Sequence, residues 1–202
     1  MSVNPNIAVP APKVREGTRQ RILRGARDCF QRLGIDKATI VDIAEAAAYS
    51  RPIIYKHFSD KADIVDQVCL EEMQALQLEL NKRIARDGSY ADQLTDAIFQ
   101  GVALARGNIY IQRFMDDREA WARSQSEAGI VHRWVRERWA AFLARGQQQG
   151  ILAADIDIGE CVTWISMVQS LLLLRYAAEP VDDREMRRFV ERFVVRPLLT
   201  RG

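Results

Sequence analysis

Proline is almost missing from the body of this chain. Three of its six prolines, Pro5, Pro10 and Pro12, fall in the first dozen residues. Between Lys13 and Glu179 there is only Pro52. Proline removes a backbone donor and breaks helix interiors, so its scarcity leaves room for long helices. Apolar residues recur at i, i+3, i+4 spacing, and strict apolar/polar alternation is nearly absent. The sequence therefore predicts an all-α fold of about nine helices behind a flexible tail over 1–14.

Punctuation sets the expected bounds. Helix 1 spans about 17–33 and stops at Gly34, a residue suited to the left-handed helix end. A second helix covers Ile40 to Ala46, with Thr39 and Asp42 at capping-box spacing. A third covers Arg51 to His57 and is capped by Ser50. Pro52 is tolerated in its first turn, where amides have no intrahelical partner. The fourth helix runs from about Asp60 to Arg86 and stops at Asp87-Gly88. Later helices are expected at about 91–106, 108–116, 127–149, 158–178 and 183–199. The stretch 118–126 is left without an assignment.

Several functions are disfavoured at once. Three distant cysteines, Cys29, Cys69 and Cys161, make no disulfide framework and read as small buried apolar residues. His57 and His132 stand far apart, so no metal site is expected, and no cofactor either. No phosphate loop or nucleophile elbow occurs, which argues against an enzyme. Acid pairs such as Asp116-Asp117 and Asp182-Asp183 read as helix caps. There is no signal peptide and no uninterrupted apolar run of membrane-span length. A cytoplasmic protein without a membrane partner is expected.

The informative segment is Thr39 to Lys61, TIVDIAEAAAYSRPIIYKHFSDK. Two helices this short are not stable alone. Ile40, Ile43, Ala44 and Ala47 of the first, and Ile53, Ile54 and Phe58 of the second, must pack on Ile22, Ala26, Cys29, Phe30 and Leu33 of helix 1. The result is a three-helix unit containing a helix-turn-helix. Its second helix keeps a polar face of Arg51, Tyr55, Lys56 and His57. Such a helix fits the major groove of double-stranded DNA, with its N-terminal residues at base edges. Arg51 is placed to read guanine. Thr39, Ser50 and Lys61 stand at helix starts, where phosphates are held.

Residues 18 to 66 resemble the DNA-binding domain of the TetR family of bacterial transcriptional regulators. The resemblance rests on Arg21-Ile22-Leu23, Ala26, Phe30, Gly34, Thr39, Ile43-Ala44, Ser50-Arg51, Ile54-Tyr55, His57-Phe58 and Lys61. It implies a homodimer in which residues 15–60 read an operator and residues 61–202 bind an effector and dimerise. It also implies a repressor, released from DNA by a small molecule, with the fourth helix as lever. One departure is Ala48-Tyr49, where the family often has Gly-Val. Ala48 either accepts a positive φ or the turn differs. Tyr49 either packs on helix 1 or reaches the phosphate backbone.

The larger part is less legible. Its aromatic and polar outliers, Phe99, Tyr110, Phe114, Trp121, His132, Trp134, Trp139 and Met167, are candidates for a largely apolar effector pocket. Plain core packing is the competing reading. Arg106, Arg113, Arg118 and Arg123 either meet an anionic head group or form a solvated face beside Asp116, Asp117 and Glu119. Helix 158–178 is apolar nearly all round and must be covered on all sides. Trp164, Val168, Leu171 and Leu172, with Phe189 and Phe193, are the expected face towards a second copy.

Charge follows the same division. The net charge of +2 hides an uneven distribution. Residues 1–60 carry ten Lys+Arg against six Asp+Glu, and the remainder is slightly acidic. The basic surplus lies in the segment with the reading helix.

Overall fold

The computed structural model describes residues 17–84, 88–124 and 126–200. The expected tail over 1–14 lies outside them, as do Arg86 and Asp87, but the fourth helix already ends at Arg83, short of the expected Arg86, where Ile84 turns extended. The described residues form ten α-helices, and no strand occurs among them.

Helix α1 (Thr18–Leu33) is strongly amphipathic and buries Ile22, Leu23, Ala26, Cys29 and Phe30. It ends at Gly34, whose φ of +87° lets its amide donate to the Phe30 carbonyl. Leu33, expected inside, is 39% exposed. It lies at the last turn of α1, and the chain beyond Gly34 buries Ile35 and Ala38 instead. Helix α2 (Ile40–Ala46) starts in a complete capping box between Thr39 and Asp42. It crosses α1 so closely that a Cβ on Gly25 would stand 2.7 Å from the Ala47 nitrogen.

Helix α3 (Arg51–His57) follows with Ser50 as N-cap, but the Ser50 side chain makes no cap hydrogen bond. Its carbonyl accepts from the amides of Ile53 and Ile54 instead. Helix α4 (Lys61–Arg83) is capped by the Asp60 carboxylate, which accepts from the Asp63 amide at 2.8 Å.

Helices α5 (Tyr90–Arg106), α6 (Ile109–Asp116), α8 (Ile130–Gln148) and α9 (Ile158–Ala178) follow expectation closely. Helix α7 (Arg118–Ser124) fills the unassigned stretch. The Asp117 carboxylate receives the Ala120 amide at 2.8 Å and so caps it. Asp182 caps α10 (Asp183–Val190) in the same way. The expected single helix over 183–199 breaks into α10, a π turn at Glu191–Val195 and a 3₁₀ turn at Arg196–Leu198. Pro197 has no amide to continue the α ladder. The chain end is then tied to the α8–α9 connection, with Thr200 donating to Ile151.

Two clusters of buried side chains hold the fold. The first joins α1, α2, α3 and the start of α4 to Ala105, Ile111, Phe114, Ala120 and Val131. The second lies between α5, α8, α9 and the chain end, around Leu94, Ile98, Leu143 and Ile165. All three cysteines are buried and free. Burial raises the thiols of Cys29, Cys69 and Cys161, the last to about 11. These are apolar packing groups rather than reactive ones.

Candidate DNA-reading helix and effector cavity

The turn between α2 and α3 fixes how α3 is presented. Ala48 has φ +56°, the only positive value at a non-glycine among the described residues. The amide of Ala48 donates to Glu45, and that of Tyr49 to Ala44. Of the two possibilities for Ala48, the strained one is therefore realised. Tyr49 packs towards helix 1, with the Arg21 guanidinium 4.8 Å from its ring centroid. Ile54 and Phe58 are fully covered, and Arg19 stacks on Phe58 at 4.9 Å. With that side anchored, Ser50, Arg51, Tyr55, Lys56 and His57 are all exposed. Arg51 and Tyr55 are one turn apart on this outward surface.

Two other expected contacts have internal partners. The Thr39 hydroxyl donates to Asp42 at 2.6 Å and receives its amide at 3.2 Å. These bonds, with the Thr39 amide, hold the Asp42 carboxyl below its usual range. Lys61 Nζ donates to the carbonyls of Ile35 and Asp36, each at 3.0 Å. It thus pins the α1–α2 loop to the start of α4.

A cavity of about 730 Å³ opens between α4, α5, α6, α7, α8 and α9. Helix α4 supplies Met73, Leu76 and Leu80, and α8 supplies Trp134, Trp139 and Phe142. Phe114 and Trp121 line it and also belong to or pack against the buried cluster of the reading head. The polar lining of the cavity comprises amides and hydroxyls, among them Gln77, Gln169 and Ser166, together with His132 and three arginines.

Residues 22–68 match the model of the bacterial regulatory proteins of the tetR family. The HTH-type transcriptional regulator TtgR of Pseudomonas putida is 34% identical over 186 residues, spanning 83% of this chain and 86% of that protein. This chain belongs to the TetR family. An HTH-type transcriptional repressor of Mycobacterium tuberculosis is 27% identical, with 73% of this chain and 82% of that protein covered. The fatty acid degradation regulator FadR from Bacillus halodurans shares the fold with a TM-score of 0.66. It is 14% identical and covers 91% of this chain and 97% of its own. FadR from Bacillus subtilis, solved with stearoyl-CoA, gives 0.64 at 16% identity, with 87% and 97% covered. A TetR-family chain is a DNA-binding transcriptional regulator and not an enzyme.

The TetR-family fold gathers six of the eight expected pocket residues: Phe114, Trp121, His132, Trp134, Trp139 and Met167 all line the cavity. Phe99 and Tyr110 do not. Phe99 is buried on α5 away from the opening. Tyr110 leaves α6 towards Glu72 and Arg27, at the head. None of Arg106, Arg113, Arg118 and Arg123 lines the cavity either. Arg106 stacks on Tyr176 at 4.2 Å and lies 3.4 Å from Asp183. Arg123 pairs with Asp66 of α4 at 3.3 Å. The arginines that do line the cavity, Arg136, Arg138 and Arg145, were missed. Their signal was available: Arg138 and Arg145 each follow an aromatic by one turn on α8.

The outer face of α9 also needs correction. Val168 and Leu172 are only 6% and 5% exposed and belong to the second core. Leu171 and Leu174 are 61% and 60% exposed, and Trp164 and Met167 continue the same stripe. Phe189 and Phe193 are exposed as expected, with ring centroids 5.1 Å apart. Among the described residues α9 alone has the length and hydropathy of a membrane span. Its Cys161, Val162 and Ile165 nevertheless sit in the second core.

Proposed function

We propose that two copies of this chain repress transcription from an operator and release it when a small, largely apolar effector fills the cavity. The observation that carries this reading is the double use of α4. Its first turns, through Ile64, Val65 and Val68, belong to the core of the reading head. Its later turns, through Met73, Leu76 and Leu80, wall the cavity. A ligand pressing on those later turns acts on the head through one continuous helix.

In this reading residues 15–60 form the reading unit and residues 61–202 the effector and dimer unit. Arg51 reads base edges. Tyr55, Lys56 and His57 reach bases or phosphates, and Thr39, Ser50 and Lys61 hold phosphates. The dimer forms on Trp164, Leu171 and Leu174, flanked by Phe189 and Phe193. It must set the two α3 helices about 34 Å apart, or a multiple, to reach successive major grooves. A DNA regulator of this kind works in the cytoplasm. The repressor name of the mycobacterial relative and the ligand-bound state of the Bacillus subtilis FadR structure support the same assignment.

The test is a titration of the protein against its own upstream DNA at several salt concentrations, followed by a ligand screen scored by release. One site bound far above competitor DNA with a steep salt slope supports the reading. Equal affinity for upstream and competitor DNA overturns it. So does operator affinity unchanged by a saturating ligand of the cavity.

A further inference from the structure

The charge lining the cavity is one-sided. Among the described residues that line it there are three arginines and one histidine, and neither Asp nor Glu. Such a balance is unusual in a chain with nearly equal numbers of acids and bases. Two of the arginines are held by the cavity's own aromatics. The Arg138 guanidinium lies 5.4 Å from the Trp134 ring centroid, and Arg145 lies 5.0 Å from that of Phe142. Both residues are exposed. Neither forms an ion pair among the described residues. They are seven residues apart on α8, hence on one side of it and about 10.5 Å apart along the axis. Stacking fixes each guanidinium plane while leaving its donors unspent.

We propose that the cavity selects an anionic amphiphile: an apolar body against the aromatic and Met/Leu walls, and a carboxylate or phosphate head at one of the two arginines, Arg138 or Arg145. An acid head gains charge-assisted, bidentate hydrogen bonds there. An alcohol head accepts from the same cations but brings no opposite charge and no second oxygen for a bidentate pair. An ammonium head meets like charge with no carboxylate to offset it. The apolar body enters a mostly carbon-lined space, so it supplies affinity whichever head it carries. The inference rests on the cavity being the effector site, and it names the effector's class.

The experiment uses the whole protein and a series matched in its apolar part: dodecanoate, dodecyl phosphate, dodecanol and dodecylamine, each below its micelle concentration. Binding is read from the change in tryptophan emission, since Trp121, Trp134 and Trp139 all line the cavity. Both anions should bind at least about tenfold tighter than the alcohol, and the amine weakest. If the anion preference is confined to the phosphate, the head is a phosphate. If both anions share it, any acid head suffices. The double variant Arg138→Gln, Arg145→Gln should erase the preference while dodecanol still binds through its apolar body, and that residual binding shows that the cavity is intact. Alcohol or amine binding as tightly as the acids, no binding of either anion, or an anion preference that survives the double variant would overturn the proposal. Release of operator DNA is scored separately. Acid-selective binding without release preserves the ligand class and sinks the effector reading.

Discussion

Arg27 of α1 and Glu72 of α4 meet at 2.8 Å, from Nε to Oε1. The other oxygen of Glu72 takes the Asn108 side-chain amide at 2.9 Å. One carboxylate therefore binds the reading head on one side and the start of α6 on the other. Glu71 reinforces the head contact by accepting Arg27 Nη2 at 2.7 Å. Phe114, farther along α6, lines the cavity. A second tie, Arg123 to Asp66, joins α7 to α4. Burial raises the Asp66 carboxyl above its usual range despite Arg123.

Glu72→Gln should weaken this junction while keeping its shape. Both partners are largely covered, so a loss of about 1–3 kcal/mol of stability is expected. In the proposed regulatory cycle, effector-free operator affinity should change little and the response to effector should fall. Denaturant unfolding and operator binding with and without ligand measure the two effects. A full effector response in the variant would show that coupling does not run through Glu72.

Ala48→Gly should stabilise the protein. A left-handed conformation costs a non-glycine residue about 1–2 kcal/mol, while glycine adds about 0.5–1 kcal/mol of unfolded-state entropy. The expected net gain is about 0.5–1 kcal/mol, seen as a higher thermal midpoint.

Arg51→Ala should weaken operator binding and relax base preference at one position. Tyr55→Ala should weaken all sequences alike. Lys61→Ala should do more than remove a phosphate contact. It also removes two bonds to the α1–α2 loop, so thermal stability should fall along with affinity. Binding selections on randomised operators, with melting curves for each variant, separate these outcomes.

Asp42 makes a pH prediction with a definite sign. Thr39 lowers its carboxyl in the folded state. A group depressed on folding stabilises above its unfolded pKa, near 4, and loses that contribution as pH falls through the folded value. Wild type should therefore exceed Asp42→Asn in stability at neutral pH. The difference should shrink progressively below about pH 4. Unfolding curves across that range test it.

Leu171→Glu tests the proposed dimer. A charge in the middle of the exposed α9 stripe should yield monomers at micromolar concentration by sedimentation, with the helix content kept. An unchanged dimer would place the interface elsewhere.

The elements most legible in the sequence are those whose ends are set locally. Thr39 with Asp42, Pro52 in a first turn, and Asp182-Asp183 at a helix start are short-range signals, and α2, α3 and α10 begin where they point. The break at Glu191 was missed because an amphipathic run hid the effect of Pro197. Periodicity also does not say which side of an all-apolar helix meets its own core. Val168 and Leu171 are equally apolar, yet only Val168 is covered. The cavity lining depends on six helices converging. Phe99 and Tyr110 carry the same sequence signal as Phe114 and point elsewhere.

The first buried cluster does not stop at the end of α3. It runs on through Val68 to Ile111, Phe114 and Ala120. Amide hydrogen exchange should register this as a shared opening unit. The amides of α6 and α7 should exchange in step with those of α1, and out of step with those of α9, although α9 is nearer to them in sequence than α1 is.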